Sequence, residues 1–515
     1  MVSRVEILVD QLVARSRVEL GKNGVDRQCH WLTDATELEV VALLDLFCQQ
    51  LDATPGVVQA EFVRVIRCLI ERQHVRDALI GTRLRESISQ LYARLGSVDV
   101  PRWLLLHWLA LSGGRGDLAE LVERIVADPP GDGRAVGLTL APLFQSENWD
   151  ISAVFPRLLD AMAHPMLAAT VLDLANYITR RGRVPTHPAA GHLDALVRLL
   201  GALVQRLAQF AEKTVDGLPE RQEMGRQVDA GVAVVIALCD ALALIGDRRA
   251  VGKLYQALEL RHRRLRAEAA AALARLNEAE GTDVLVAMAA EPITRLRVLA
   301  DAKALGVLDR IDPQFATAEA RAEAEVALAL AQPTCFGLPP QSIEHFHRQT
   351  LYWPGHEQPV VCHLVRYSYV LAGGRYANIA LCGPVTHVLT ADLNDLPPDD
   401  IFAVYAGWHA EHEEIHAMNA DQWTPAQAAT AELRARQLTG AGYADIQPIM
   451  LGAMFGDWAL IAHAVRDGVP GLAVTDGQQV DFQPDQPNAH PLGPTEVYWR
   501  YTGRRILRQF NPDYS

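Results

Sequence analysis

A seven-residue stretch that recurs at a near-fixed interval constrains this chain more than any other feature. Ala241 to Asp247 (ALALIGD) is echoed by Ala272 to Glu278 (ALARLNE) and by Ala304 to Arg310 (ALGVLDR), at offsets of 31 and 32 residues. Periods of roughly 20–50 residues mark chains built of one small unit stacked on itself, each unit burying its apolar face against its neighbours. Every copy reads as the end of a helix. The alanines permit close helix contact, and Gly246 or Asn277 suits a left-handed cap. The segments Arg249 to Leu254 and Thr282 to Leu285 then start new helices, while Leu265-Arg266 and Leu296-Arg297 open the second helix of a pair.

The alanine-rich helix with an L-R opening and an AL-x-x-(I/L)-(G/N)-(D/E) ending resembles HEAT repeats, and among them the short variety of bilin-lyase-type proteins. The resemblance is best over about 237–310, and its third copy departs at Asp309-Arg310. It implies a curved α-solenoid that binds other molecules along one face, and it leaves open a bilin-lyase-like handling of a tetrapyrrole chromophore. Upstream, apolar residues recur at three- and four-residue spacing, as in Leu43-Leu44-Phe47 and Leu158-Leu159-Met162, with breaks at Thr54-Pro55-Gly56, Gly113-Gly114 and Pro129-Pro130-Gly131. Long helices are expected over 190–212 and 220–245. The expected fold is mainly α: an irregular helical-hairpin array over 1–236, HEAT-like repeats over 237–331, a linker over 332–342 and a smaller α+β domain over 343–515.

The last third is built differently, holding ten of the 17 histidines and five of the nine tryptophans. Val360 to Val370 is rich in β-branched and aromatic residues, and a turn at 372–375 leads to a second strand from Tyr376 to Leu381. Further strands are expected at Val385–Thr390, Ile401–Tyr405 and Glu496–Tyr501. Helices are expected at 408–418, after Thr424-Pro425 (a cap residue followed by proline at the first helical position), and at 447–465.

Three constellations could carry chemistry. Over Trp408 to His416 the order is H-x-x-H-E-E-x-H. A helix there would put His409, His412 or Glu413, and His416 on one face, able to hold a divalent metal; the plain alternative is a solvated, acidic helix start. Cys382, with His387 and Asp392 downstream, has the residue types of a thiol nucleophile, its base and an orienter. Buried cysteine as a small hydrophobe is the alternative, and Cys362 and His363 should point to opposite faces of one strand. The acidic turn Asp392 to Asp400 lacks the spacing of a calcium loop. No phosphate-cradling or nucleophile-elbow motif is present.

Charge separates the halves. Between 248 and 297 there are ten basic residues against six acidic, with Arg261, Arg263, Arg264 and Arg266 clustered, while 343–515 holds ten arginines against 19 acids, and the whole chain stands at −14. Such an acidic chain argues against a dedicated polyanion binder, and the arginines suit an acidic protein surface instead. Apolar runs are broken by charges within about 18 residues, which argues against membrane insertion. The first twenty residues lack the apolar core of a signal peptide. Seven cysteines with no CxxC pair suggest reduced thiols. A cytoplasmic location follows as the expectation, and four lysines among 48 basic residues point to a GC-rich, bacterial source. The expected function is a scaffold or adaptor that binds a protein partner through its helical array, the alternative being an enzyme with a metal-assisted or cysteine-based site in 343–515.

Overall fold

The computed structural model describes residues 32–511, apart from 33, 54–58, 77–78, 97–98, 130, 132, 213–217, 372, 412–414, 455 and 486–491. The chain divides into two compact units, Met1–Val284 and Leu285–Ser515.

The first unit is a run of consecutive helices, each packed on near neighbours in sequence. They are α1 (Glu37–Ala53), α2 (Gln59–Arg76), α3 (Thr82–Arg94), α4 (Asp99–Ser112), α5 (Arg115–Ala127), α6 (Gly133–Gln145), α7 (Pro165–Arg180), α8 (Leu193–Glu212), α9 (Leu218–Ile245), α10 (Val251–Leu258), α11 (Arg263–Arg275) and α12 (Ala279–Ala287). One continuous apolar core runs through them, from Leu32 to Leu276. Buried polar groups tie distant helices together. Asn176 of α7 donates to the carbonyl of Ala237 in α9 (3.0 Å) and pairs with His187 Nε2 (2.9 Å), whose Nδ1 accepts from the Ala189 N–H (3.1 Å). One described helical stretch, Glu223–Ile245, is long and apolar enough to span a membrane, and 56% of its apolar window is buried inside the protein.

The repeat endings behave as the sequence implies in the first two copies. Gly246 (φ 79°) and Asn277 (φ 62°) both take the left-handed conformation just past a helix. The third copy differs: the left-handed residue is Gly306 (φ 71°), which caps α13 (Pro292–Leu305). Glycine takes that conformation without a Cβ penalty, so the helix stops at Leu305 and Leu308–Arg310 becomes a separate 3₁₀ turn.

The second unit contains α13, α14 (Ala318–Leu330), α15 (Pro398–Glu411), α16 (Pro425–Gly440), α17 (Pro494–Phe510) and strands β1 (Ser342–Leu351), β2 (Val360–Leu371), β3 (Gly374–Cys382), β4 (Ile415–Asn419), β5 (Tyr443–Met454), β6 (Asp457–Arg466), β7 (Val469–Thr475) and β8 (Val480–Pro484). The strands form two antiparallel sheets, β1-β2-β3 and β4-β5-β6-β7-β8. Packing stacks them in layers. Helix α14 lays Ala322, Val326 and Leu330 on Val365, Tyr367, Tyr369 and Ala380 of the first sheet. The pair α15/α17 fills the space between the two sheets, with Tyr405 and Tyr498 fully buried. Helix α16, opened by a Thr424/Gln427 capping box, covers the far side of the second sheet through Ala431 and Leu438.

Close approach of α15 and α17 depends on two glycines. A Cβ on Gly503 would lie 1.8 Å from the Ala403 carbonyl oxygen, and one on Gly407 would lie 2.0 Å from that of Trp499.

The two compact units meet at 284/285, and α14 packs on the first sheet of the second unit. Several sequence expectations are corrected here. Residues 447–465 form the β5–β6 hairpin instead of a helix, and Glu496–Tyr501 and Ile401–Tyr405 lie in helices α17 and α15 instead of strands. Val385–Thr390 contributes only an isolated bridge between His387 and Leu381.

Candidate functional site

The basic cluster sits at the start of α11. His262 is its N-cap, with Nδ1 accepting from the Leu265 N–H at 3.3 Å. Arg263, Arg264 and Arg266 occupy the first turn with no acidic residue among them, and Arg261 immediately precedes the cap. All four arginines are exposed. The N-terminal end of a helix carries a partial positive charge, and each added cation there costs about 0.3–1 kcal/mol. Several other arginines of this unit sit in ion pairs. Arg248 pairs with Glu278, Arg249 with Asp194 and Asp247, Arg157 with Glu123, and Arg180 with Asp240. Among the described residues Arg261, Arg264 and Arg266 form no ion pair. Arg264 and burial together hold the His262 imidazole below its ordinary pKa, burial being the larger cause.

In the C-terminal unit the sequence-chosen residues are distributed differently from the expectation. Cys382 ends β3 on the face that α14 covers. Its thiol donates to Glu325 Oε2 of α14 at 3.1 Å and lies 3.7 Å from the Thr386 hydroxyl. Burial, with the Glu325 carboxylate adding to it, pushes that thiol up to about 12. A thiol held so high has little thiolate at neutral pH, and the thiolate is the nucleophile. Cys362 is buried on the opposite face of the sheet and is pushed up to about 12 as well, chiefly by burial. His363, next to it, points the other way and meets His345, Nδ1 to Nε2, at 3.2 Å. The His387 ring lies flat on Trp408, centroids 3.6 Å apart. Asp392 accepts from the Asn394 amide nitrogen (3.0 Å) and its side-chain Nδ2 (2.7 Å), closing a turn. Cys382, His387 and Asp392 thus each have a structural task.

The histidine-rich segment does not form one helix face. Helix α15 ends at Glu411 and His416 lies on β4, opposite Ala453 of β5. His412 and Glu413 lie outside the described residues. His409 Nδ1 accepts from the Trp353 indole N–H at 3.2 Å, which fixes that ring by a hydrogen bond to a core tryptophan. Among the described residues no group of three His, Cys, Asp or Glu side chains is placed to hold a metal ion.

Sequence reasoning missed two features of this unit. Asn378 of β3 is fully buried and uses its whole side chain. Nδ2 donates to the carbonyls of Leu389 (3.1 Å) and Ala391 (2.8 Å), and Oδ1 accepts from the N–H groups of Leu393 and Ile379. It pins the loop that leads to α15; an asparagine inside an otherwise apolar strand run, Tyr376 to Cys382, was the available signal. The second is an open cleft of about 560 Å³ where α14 ends, lined by Glu325, Gln332, Cys335, Thr386 and His387 among others. Cys335, on its wall, is an exposed free thiol. No family model, curated protein or solved structure matches this chain.

Proposed function

We propose that the chain is a scaffold or adaptor whose N-terminal helices form a HEAT-type solenoid and dock an acidic protein surface through Arg261, Arg263, Arg264 and Arg266. One observation carries the reading: a cluster of exposed cations stands at the positive end of α11, where it opposes the helix dipole. Arg261, Arg264 and Arg266, which form no ion pair among the described residues, are kept against local stability, as a binding site is when its counter-charges arrive with the partner. The recurrent helix endings at Gly246 and Asn277 support the solenoid, since they place one cap per repeat. A protein partner fits better than nucleic acid, because the exposed cations are confined to one helix start rather than laid out as a stripe that could follow a phosphate backbone. A cytoplasmic setting suits the free thiols.

The test is fluorescence anisotropy with a labelled oligoglutamate peptide, at several salt concentrations, against a single-stranded DNA of equal charge. Saturable peptide binding that weakens with salt, exceeds DNA binding and falls at least tenfold in Arg261→Gln/Arg263→Gln/Arg264→Gln/Arg266→Gln supports the reading. Equal binding by that variant, or preference for DNA, overturns it.

A further inference from the structure

A groove of about 300 Å³ opens between the start of α7, the face of α8 and the middle of α9. Its walls are apolar: Leu203, Leu207 and Phe210 from α8, Val234 from α9 and Met166 from α7, the last 53% exposed. Only two polar side chains line it, Arg206 and Gln227, and they meet each other, Nη2 to Oε1, at 3.3 Å. The polar end of the groove is therefore a single spot. The Arg206 guanidinium also lies over the Phe210 ring, 5.4 Å from its centroid. Neither of these contacts neutralises its charge. Pro165 and Met166 are the first residues of α7, so the positive end of a 16-residue helix, with no side chain capping it, borders the same space.

An apolar pocket of this size with a few convergent polar groups is the usual form of a small-molecule site. Its apolar walls favour a guest with apolar surface to bury against them. Both fixed positive features call for an anionic head, and the walls call for an aliphatic body. Phosphate or sulfate alone would leave the walls unsatisfied, and a neutral alkane would leave Arg206 unpaired. We infer that this groove binds a medium-chain aliphatic carboxylic acid, with its carboxylate on Arg206 and its chain along α8 and α9. This site is separate from the basic cluster of α11 and stands whether or not that cluster docks a partner.

The probes are decanoate and 1-decanol, which share a chain and differ in the charged head. Isothermal titration of the full-length protein is expected to show saturable decanoate binding at least tenfold tighter than that of decanol. In Arg206→Gln, an exposed position, decanoate binding should fall at least tenfold while decanol binding holds. In Ala230→Phe, which fills the groove from α9, both should be lost with the far-ultraviolet circular dichroism unchanged. The inference is overturned if neither probe binds the wild-type protein, if decanol binds as tightly as decanoate, or if Arg206→Gln leaves decanoate binding intact.

Discussion

Replacing Arg264 by glutamate should stabilise α11, although it removes a residue assigned to binding. Arg264 is the second residue of the helix, where the backbone N–H groups still carry positive partial charge. The substitution removes one cation from that field and supplies one anion to it. Each change contributes about 0.3–1 kcal/mol, so the gain is about 0.6–2 kcal/mol. Amide exchange of α11 should therefore slow by roughly 3- to 30-fold. The measurement belongs near pH 8, where His262 is neutral and its Nδ1 accepts from the Leu265 N–H. At lower pH the new carboxylate would favour protonation of His262 and weaken that cap. Faster exchange of α11 in Arg264→Glu would refute the reasoning, because it would make the arginine a structural group rather than one held against the dipole.

Acid should destabilise the first unit through His187, which burial holds down to about 4 from an ordinary 6.5. The folded state keeps it neutral while the unfolded chain takes up a proton below 6.5, so about 3 kcal/mol disappears as pH falls from 6.5 to about 4. Urea titrations of His187→Asn should show a flatter pH dependence, and an equally steep one would assign the loss elsewhere. Gly503→Ala should cost about 3 kcal/mol or more, since its methyl would enter the Ala403 carbonyl; a thermal midpoint unchanged from wild type would contradict the α15/α17 contact. In timed alkylation at pH 8 followed by peptide mass spectrometry, exposed Cys335 should react well before Cys362 and Cys382, both pushed up to about 12. Rapid labelling of Cys382 would return it to consideration as a nucleophile.

The helical part was legible because its helices are buried on one side and spaced by clear breaks. Gly246 and Asn277 could even be assigned as left-handed caps from the repeat alone. The second unit was harder because its elements are sandwiched. Strand β6 lies between α17 and α16, so Ala459 to Ala462 are all buried and the run shows no alternation. Such a run is indistinguishable by periodicity from a buried helix. Helix α15 suffers the converse, being buried from Asp400 to Gly407 between a sheet and α17. In α17 the aromatic stretch Tyr498-Trp499-Arg500-Tyr501 suggested a strand, while Pro494 at the first helical position and the 497/498/501 spacing carried the correct signal. His409 lies near the end of α15 and His416 on β4, so these two do not share the one helix face that their spacing suggests. The cleft beside Cys335 is assembled from α14 and the β3–α15 loop, some fifty residues apart in sequence, and no spacing rule reaches that far.

The central claim is that the start of α11 is where a partner binds. Hydrogen-exchange mapping of the full-length protein, with and without a saturating acidic peptide, tests it directly. Protection centred on residues 261–275 is the predicted result. Protection confined to 342–511, or none at α11, would contradict it and move the binding function to the C-terminal unit.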